Sequence, residues 1–160
     1  MLDQNWARWI VASVAVYFKA IADTIPINFK ISGIDECEIP NRNYAELTVT
    51  GPFIQQLSKN FYQLTVEVNV LLTNLMLETS DNGYDIQTWC GIFQKAMDGP
   101  ITVYKKGNLV GDTGTSIGCL ISKQTGMDAN KIMHFGQISK VDRVRQSMIS
   151  GKFQIDLKTT

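Results

Sequence analysis

Few residues in this chain are of a type that does chemistry. His134 is the only histidine, so a nucleophile, a base and an orienting acid would all have to be built around it. It stands between Met133 and Phe135 in a stretch of strand character, which reads as a core or interface histidine. The three cysteines, Cys37, Cys90 and Cys119, lie far apart with no CxxC pair. That spacing disfavours a zinc knuckle and a disulfide framework, and the odd count fits a reducing cytosol. Neither a GxGxxG nor a GxxxxGK loop is present, and no His/Cys/Asp cluster has metal-ligand spacing, so no metal and no cofactor is expected. The segment Asp112-Thr113-Gly114-Thr115-Ser116 has hydrolytic potential. Two such carboxylates sharing one proton can activate water, and a chain with one copy would need a second chain to complete the pair.

The Asp112 segment is similar to the active-site sequence of aspartic proteases. The context departs from theirs: Gly111 stands where those proteases carry an apolar residue, and their downstream apolar-apolar-Gly element is not evident. Asp-Thr-Gly is also ordinary turn chemistry between two strands, so a hairpin turn is the expected reading, with a homodimeric protease using Asp112 as the rival. Basic residues gather at Lys105-Lys106 and at Lys140, Arg143 and Arg145, without interleaved aromatics that would stack on nucleic-acid bases. Solvated turns carry such clusters by default; the functional reading is contact with a neighbouring subunit, or non-specific contact with passing DNA phosphates.

These residues have to be positioned by a chain of 160 residues with 44% hydrophobic content, which is enough for a single domain over 1–160. The 15 basic and 15 acidic side chains cancel, so no overall field draws the protein onto nucleic acid or anionic lipid. The first residues lack the positive stretch of a secretory signal, and the apolar run after them carries Arg8 and Lys19, so neither export nor a membrane span is expected.

Asp3 is a candidate cap for a helix running to about Ala22, with Trp6, Ile10, Val14, Tyr17 and Ile21 on one face. Trp9, Val11, Val16 and Phe18 occupy its other sides, and a helix apolar around its circumference needs cover on more than one side. Loops of its own chain or a neighbouring subunit would supply that cover. Ile27, Phe29 and Ile31 alternate with polar residues as a half-buried strand does, a polar loop follows over 32–43, and Ala45, Leu47 and Val49 mark a strand closed by Gly51-Pro52. Residues 52–60 read as a loop extending from the sheet. From 61 to 73 a period-two series at about 3.3 Å per residue predicts a strand of roughly 40 Å, part of which projects. Ser80-Asp81-Asn82-Gly83 breaks the chain before a second helix with Ile86, Trp89, Cys90, Phe93 and Met97 on one stripe. Short strands follow near 101–105, 117–122 and 132–138, and a last one carries Ile149, Phe153, Ile155 and Leu157 on one side. The fold class is α+β: an antiparallel or mixed sheet with an N-terminal helix and a second helix packed on it.

Three stretches carry a resemblance. The opening Met-Leu-Asp-Gln-Asn-Trp-Ala-Arg-Trp-Ile, the Thr50-Gly51-Pro52 turn before the Val-rich strand, and Phe135-Gly136-Gln137 followed by Arg145-Gln146-Ser147-Met148-Ile149-Ser150-Gly151-Lys152-Phe153 resemble small tailed-bacteriophage virion proteins. The order of elements is similar to the tail terminator family, in which a helix-backed sheet forms one sixth of a ring. The resemblance implies a hexamer that sits on the last ring of the tail tube, stops its polymerisation and meets the head-side neck proteins. It implies a virion location, host cytoplasm during assembly, and no enzymatic activity. Another neck, tail-completion or tail-tube protein is the close alternative. On this reading Trp6, Trp9 and Phe18 are subunit contacts, while Phe53, Gln56 and Lys59, with Arg143 and Arg145, are ring-to-ring contacts. A protease dimer and a monomeric adaptor with a small-ligand groove are the readings from other classes.

Overall fold

A computed structural model describes residues 2–33, 43–75, 84–106, 112–123, 130–139 and 144–159. Helix α1 (Trp6–Ala22) leads to strand β1 (Asn28–Ile31), then β2 (Tyr44–Ser58) and β3 (Phe61–Leu75). Helix α2 (Tyr84–Asp98) follows, and β4 (Ile101–Tyr104), β5 (Ser116–Ser122), β6 (Lys131–Ser139) and β7 (Val144–Lys158) complete the order. The seven strands form one sheet in the order β1-β2-β3-β7-β5-β4, with β6 also paired to β7. β1 runs parallel to β2 and every other pairing is antiparallel, so the sheet is mixed and the fold is α+β.

The centre of the sheet is built by alternation. On β3, Leu64, Val66, Val68, Val70 and Leu72 are fully buried, and on β7 Ile149, Phe153, Ile155 and Leu157 share that face. The two strands pair without interruption from Phe61↔Lys158 to Leu75↔Val144. The opposite face carries Thr65 across from Gln154, Glu67 across from Lys152 and Asn69 across from Ser150. A 3.4 Å ion pair joins Lys152 to Glu67 on that face, and another of 3.4 Å joins Lys30 to Glu46. Both helices pack on the apolar face, and among the described residues no helix covers the polar one.

The sheet curls around α1, which touches β1 and β2 at one side and β4 at the other while α2 lies against it. This explains the helix's wide apolar girth without a neighbouring subunit. Trp9 and Phe18 were expected as subunit contacts; they are 2% and 0% exposed, enclosed by their own chain. Regular elements supply most of the cover, and the β4–β5 connection, which bonds and overlies Trp9, supplies loop cover as one of the two expected readings had it. Phe18 stacks on Phe93 of α2 with ring centroids 6.4 Å apart, Tyr17 Oη donates to the Ala96 carbonyl at 2.7 Å, and the Tyr104 amide donates to Ser13 Oγ at 3.0 Å. At its start the helix is entered differently from expectation: Asn5 holds the cap position without a side-chain capping bond, its Oδ1 accepting from Arg8 at 3.3 Å, and Asp3 instead accepts the Asn5 amide at 2.8 Å.

Residues 52–60 are not a loop. Strand β2 continues to Ser58 and pairs with β3 through Ser58↔Phe61, after a register shift between Thr50 and Phe53. Gly51 sits at that shift with φ of 110°, where a Cβ would lie 2.9 Å from the Thr65 carbonyl oxygen, and its bond to Pro52 is cis. A left-handed residue in close contact with the paired strand has to be glycine. Sequence reading took Gly-Pro as the end of a strand; here it marks a bulge within one.

Candidate functional site

Asp112 lies in the connection between β4 and β5, where Lys105 donates its amide to the Thr115 carbonyl at 2.9 Å and Gly114 donates back to Lys105 at 2.7 Å. These bonds join the two arms of the connection next to Asp112. Its carboxylate is 6% exposed and both oxygens are engaged by α1. Arg8 donates to Oδ2 at 2.5 Å and to Oδ1 at 2.9 Å, and the Trp9 indole N–H donates to Oδ1 at 2.6 Å. The hydrogen bond to Asp112 raises the Arg8 guanidinium above its ordinary value, and burial opposes that shift. A proton-sharing dyad needs a carboxylate free to face a second one, whereas this one is occupied by a forked cation and an indole. The arrangement anchors the hairpin to α1. A separation of 104 residues in sequence left it without any local signal.

His134 is exposed, and its Nδ1 lies 2.7 Å from Ser147 Oγ across the β6–β7 ladder. Ser147 is 2% exposed, and Cys90 of α2 is buried at 1%. Burial pushes the Cys90 thiol up, and the Ser147 hydroxyl partly offsets the shift. The Ser147 hydroxyl is too enclosed to meet a substrate, so its contact with His134 ties β6 to β7. Among the described residues no group of three or more metal-ligating side chains converges.

Trp6 is half-buried, set edge-on to Trp9 with centroids 6.0 Å apart, and lines a cleft of about 450 Å³ with Lys105, Ile117 and Leu157. The cleft has the size of a small-molecule site. Its rim sets Asp3 and Asp156 against Lys105 and Lys158, so no single charge is selected.

The remaining expected contacts lie on the long strands. Phe53, Gln56 and Lys59 are all exposed at the β2–β3 tip, with Ile54 and Leu57 beside them; Phe53, Ile54 and Leu57 are 55%, 57% and 49% exposed. Arg145 is half-buried and paired with Asn74 at the other end of the β3–β7 ladder. Arg143 and Lys140 fall outside the described residues. The two expected contact groups are therefore toward opposite ends of the β2–β3–β7 ladder, roughly 30–45 Å apart along β3 at 3.3 Å per residue. Lys105 and Lys106 serve locally, their ammonium groups lying 5.1 Å over the Trp9 ring and 4.8 Å over the Tyr104 ring.

No protein-family model matches this chain, and no curated protein matches it in sequence. Among the described residues no helix is long and apolar enough to cross a membrane.

Proposed function

We propose that this protein is a structural subunit of a tailed-phage particle, a tail terminator whose copies form a ring between tail tube and neck. The observation that carries the reading is the slab of β2, β3 and β7, each 15 residues long, with exposed apolar residues at one end and Arg145 at the other. A subunit that must touch a ring below and a ring above needs separate surfaces at the two ends of a rigid body. An antiparallel slab supplies them, because strand length sets the distance and the ladder holds it. Both helices lie on the apolar face of the slab. In this reading the tail-tube protein meets one end and the head-side neck proteins the other.

Immunogold electron microscopy of intact particles tests the position. Gold at the head–tail junction is the expected result. Labelling along the shaft would make this a tube protein, and particles free of the chain would remove the virion role altogether.

A further inference from the structure

We propose that copies of this chain join head to tail through their sheet edges, the outer edge of β6 in one copy pairing with the free stretch 53–58 of β2 in the next. This deepens the ring reading by naming the contact. β1 covers β2 only at 44–47, so beyond Leu47 no described strand pairs with its outer side. β6 pairs with β7 and, among the described residues, with nothing on its far side. Open edges are templates for other strands, and monomeric proteins blunt them with charge. Here residues 48–58 contain no charged side chain and are broken only by the bulge at Gly51-Pro52, so the pairing stretch is 53–58, and β6 contains only Lys131 besides His134. Both edges carry exposed apolar residues instead: Phe53, Ile54 and Leu57 on β2, Met133 at 43% and Phe135 at 49% exposure on β6.

The second copy is favoured as occupant because the two edges fit one another in direction. The β2–β3, β3–β7 and β7–β6 pairings are all antiparallel, so β6 runs opposite to β2 within one chain. A copy related by rotation presents β2 against its neighbour's β6 in antiparallel sense and keeps all helices on one face. One heterologous contact then satisfies both edges and repeats around a ring. β6 lies beside β7 from Val144 to Ser150, while the free part of β2 lies toward the Phe61 end of β3. Neighbours are therefore staggered along the strands, as closure of a sheet into a barrel requires.

Two edge-blocked proteins test this, Phe53→Lys/Leu57→Lys on β2 and Met133→Lys/Phe135→Lys on β6. Sedimentation at high concentration should show wild type larger than a dimer and each variant monomeric with an unchanged melting temperature. Mixed one to one, the variants should form a dimer and nothing larger, since each retains the edge the other lacks. Wild type that stays monomeric overturns the proposal, and so do oligomers that survive in either variant. Dimers of the β6 variant alone would show symmetric β2–β2 pairing and also overturn it. Survival of a large oligomer in both variants would leave a ring built on other surfaces. Absence of gold from particles would sink the virion role while leaving the edge contact intact.

Discussion

Replacing Asp112 by Asn keeps the shape of the side chain but gives Arg8 an uncharged partner and turns one acceptor oxygen into a donor nitrogen. The melting temperature should fall and Trp9 fluorescence should change, both measurable on one sample; an unchanged protein would mean the anchor carries no weight. Cys119 is exposed and Cys90 is 1% exposed, so in a Cys37→Ser background a thiol reagent should label Cys119 quickly and Cys90 only on unfolding. Burial raises the Cys90 thiol above its ordinary value of 9.0, so the folded chain holds that proton longer than the unfolded one. The stability linked to it is complete below pH 9.0 and declines as pH rises past that value. Tyr17, raised by burial and by Asp98 from an ordinary 10.0, adds a decline of the same sign at higher pH. Urea midpoints at pH 8 and pH 10 should show the loss, reduced in Cys90→Ala. At this scale the sequence was informative about types and silent about partners. Asp112 stood out by its Asp-Thr-Gly context, but nothing near it announces Arg8 and Trp9, because that contact exists only once the β4–β5 connection lies over α1.

Helices and strands were more legible, since periodicity is a local property that burial enforces. The stripe Ile86, Trp89, Cys90, Phe93 and Met97 is buried as expected, and the period-two series of β3 alternates as expected. What failed was the cause of α1's wide apolar surface. Periodicity tells how many sides a helix must cover but not with what, and here the curl of the sheet and α2 supply the cover within one chain. Residues 52–60 failed for a different reason: Gly51-Pro52 has the composition of a strand end, and only the pairing of Phe53 with Thr65 shows that the strand resumes. Phe18→Ala and Phe93→Ala should each cost about 3–5 kcal/mol in denaturant melts. Their sum should differ from the double variant by about 0.5–1.5 kcal/mol, because the two rings stack on each other. Gly151→Ala should also destabilise, since a Cβ there would lie 2.9 Å from Asn130 Oδ1 and 3.0 Å from Met97 Sδ.

Across the whole molecule, stability is concentrated away from the surfaces offered to partners. The β3–β7 ladder lies between other strands and over the core, whereas the β2 arm beyond Gly51 is exposed except at the half-buried Pro52. Hydrogen exchange on dilute protein should find β3 and β7 amides slowest and those of 48–58 among the fastest in the sheet. Raising the concentration should slow those of 53–58 selectively if the edges pair. Strand β7 has one more consequence. It comes after every other element in the chain and pairs along its full length with β3, while β5 and β6 both attach to its other side. Until residues 144–158 take their place, β1, β2 and β3 on one side and β4, β5 and β6 on the other are unjoined parts of a sheet, so closing it is a long-range step.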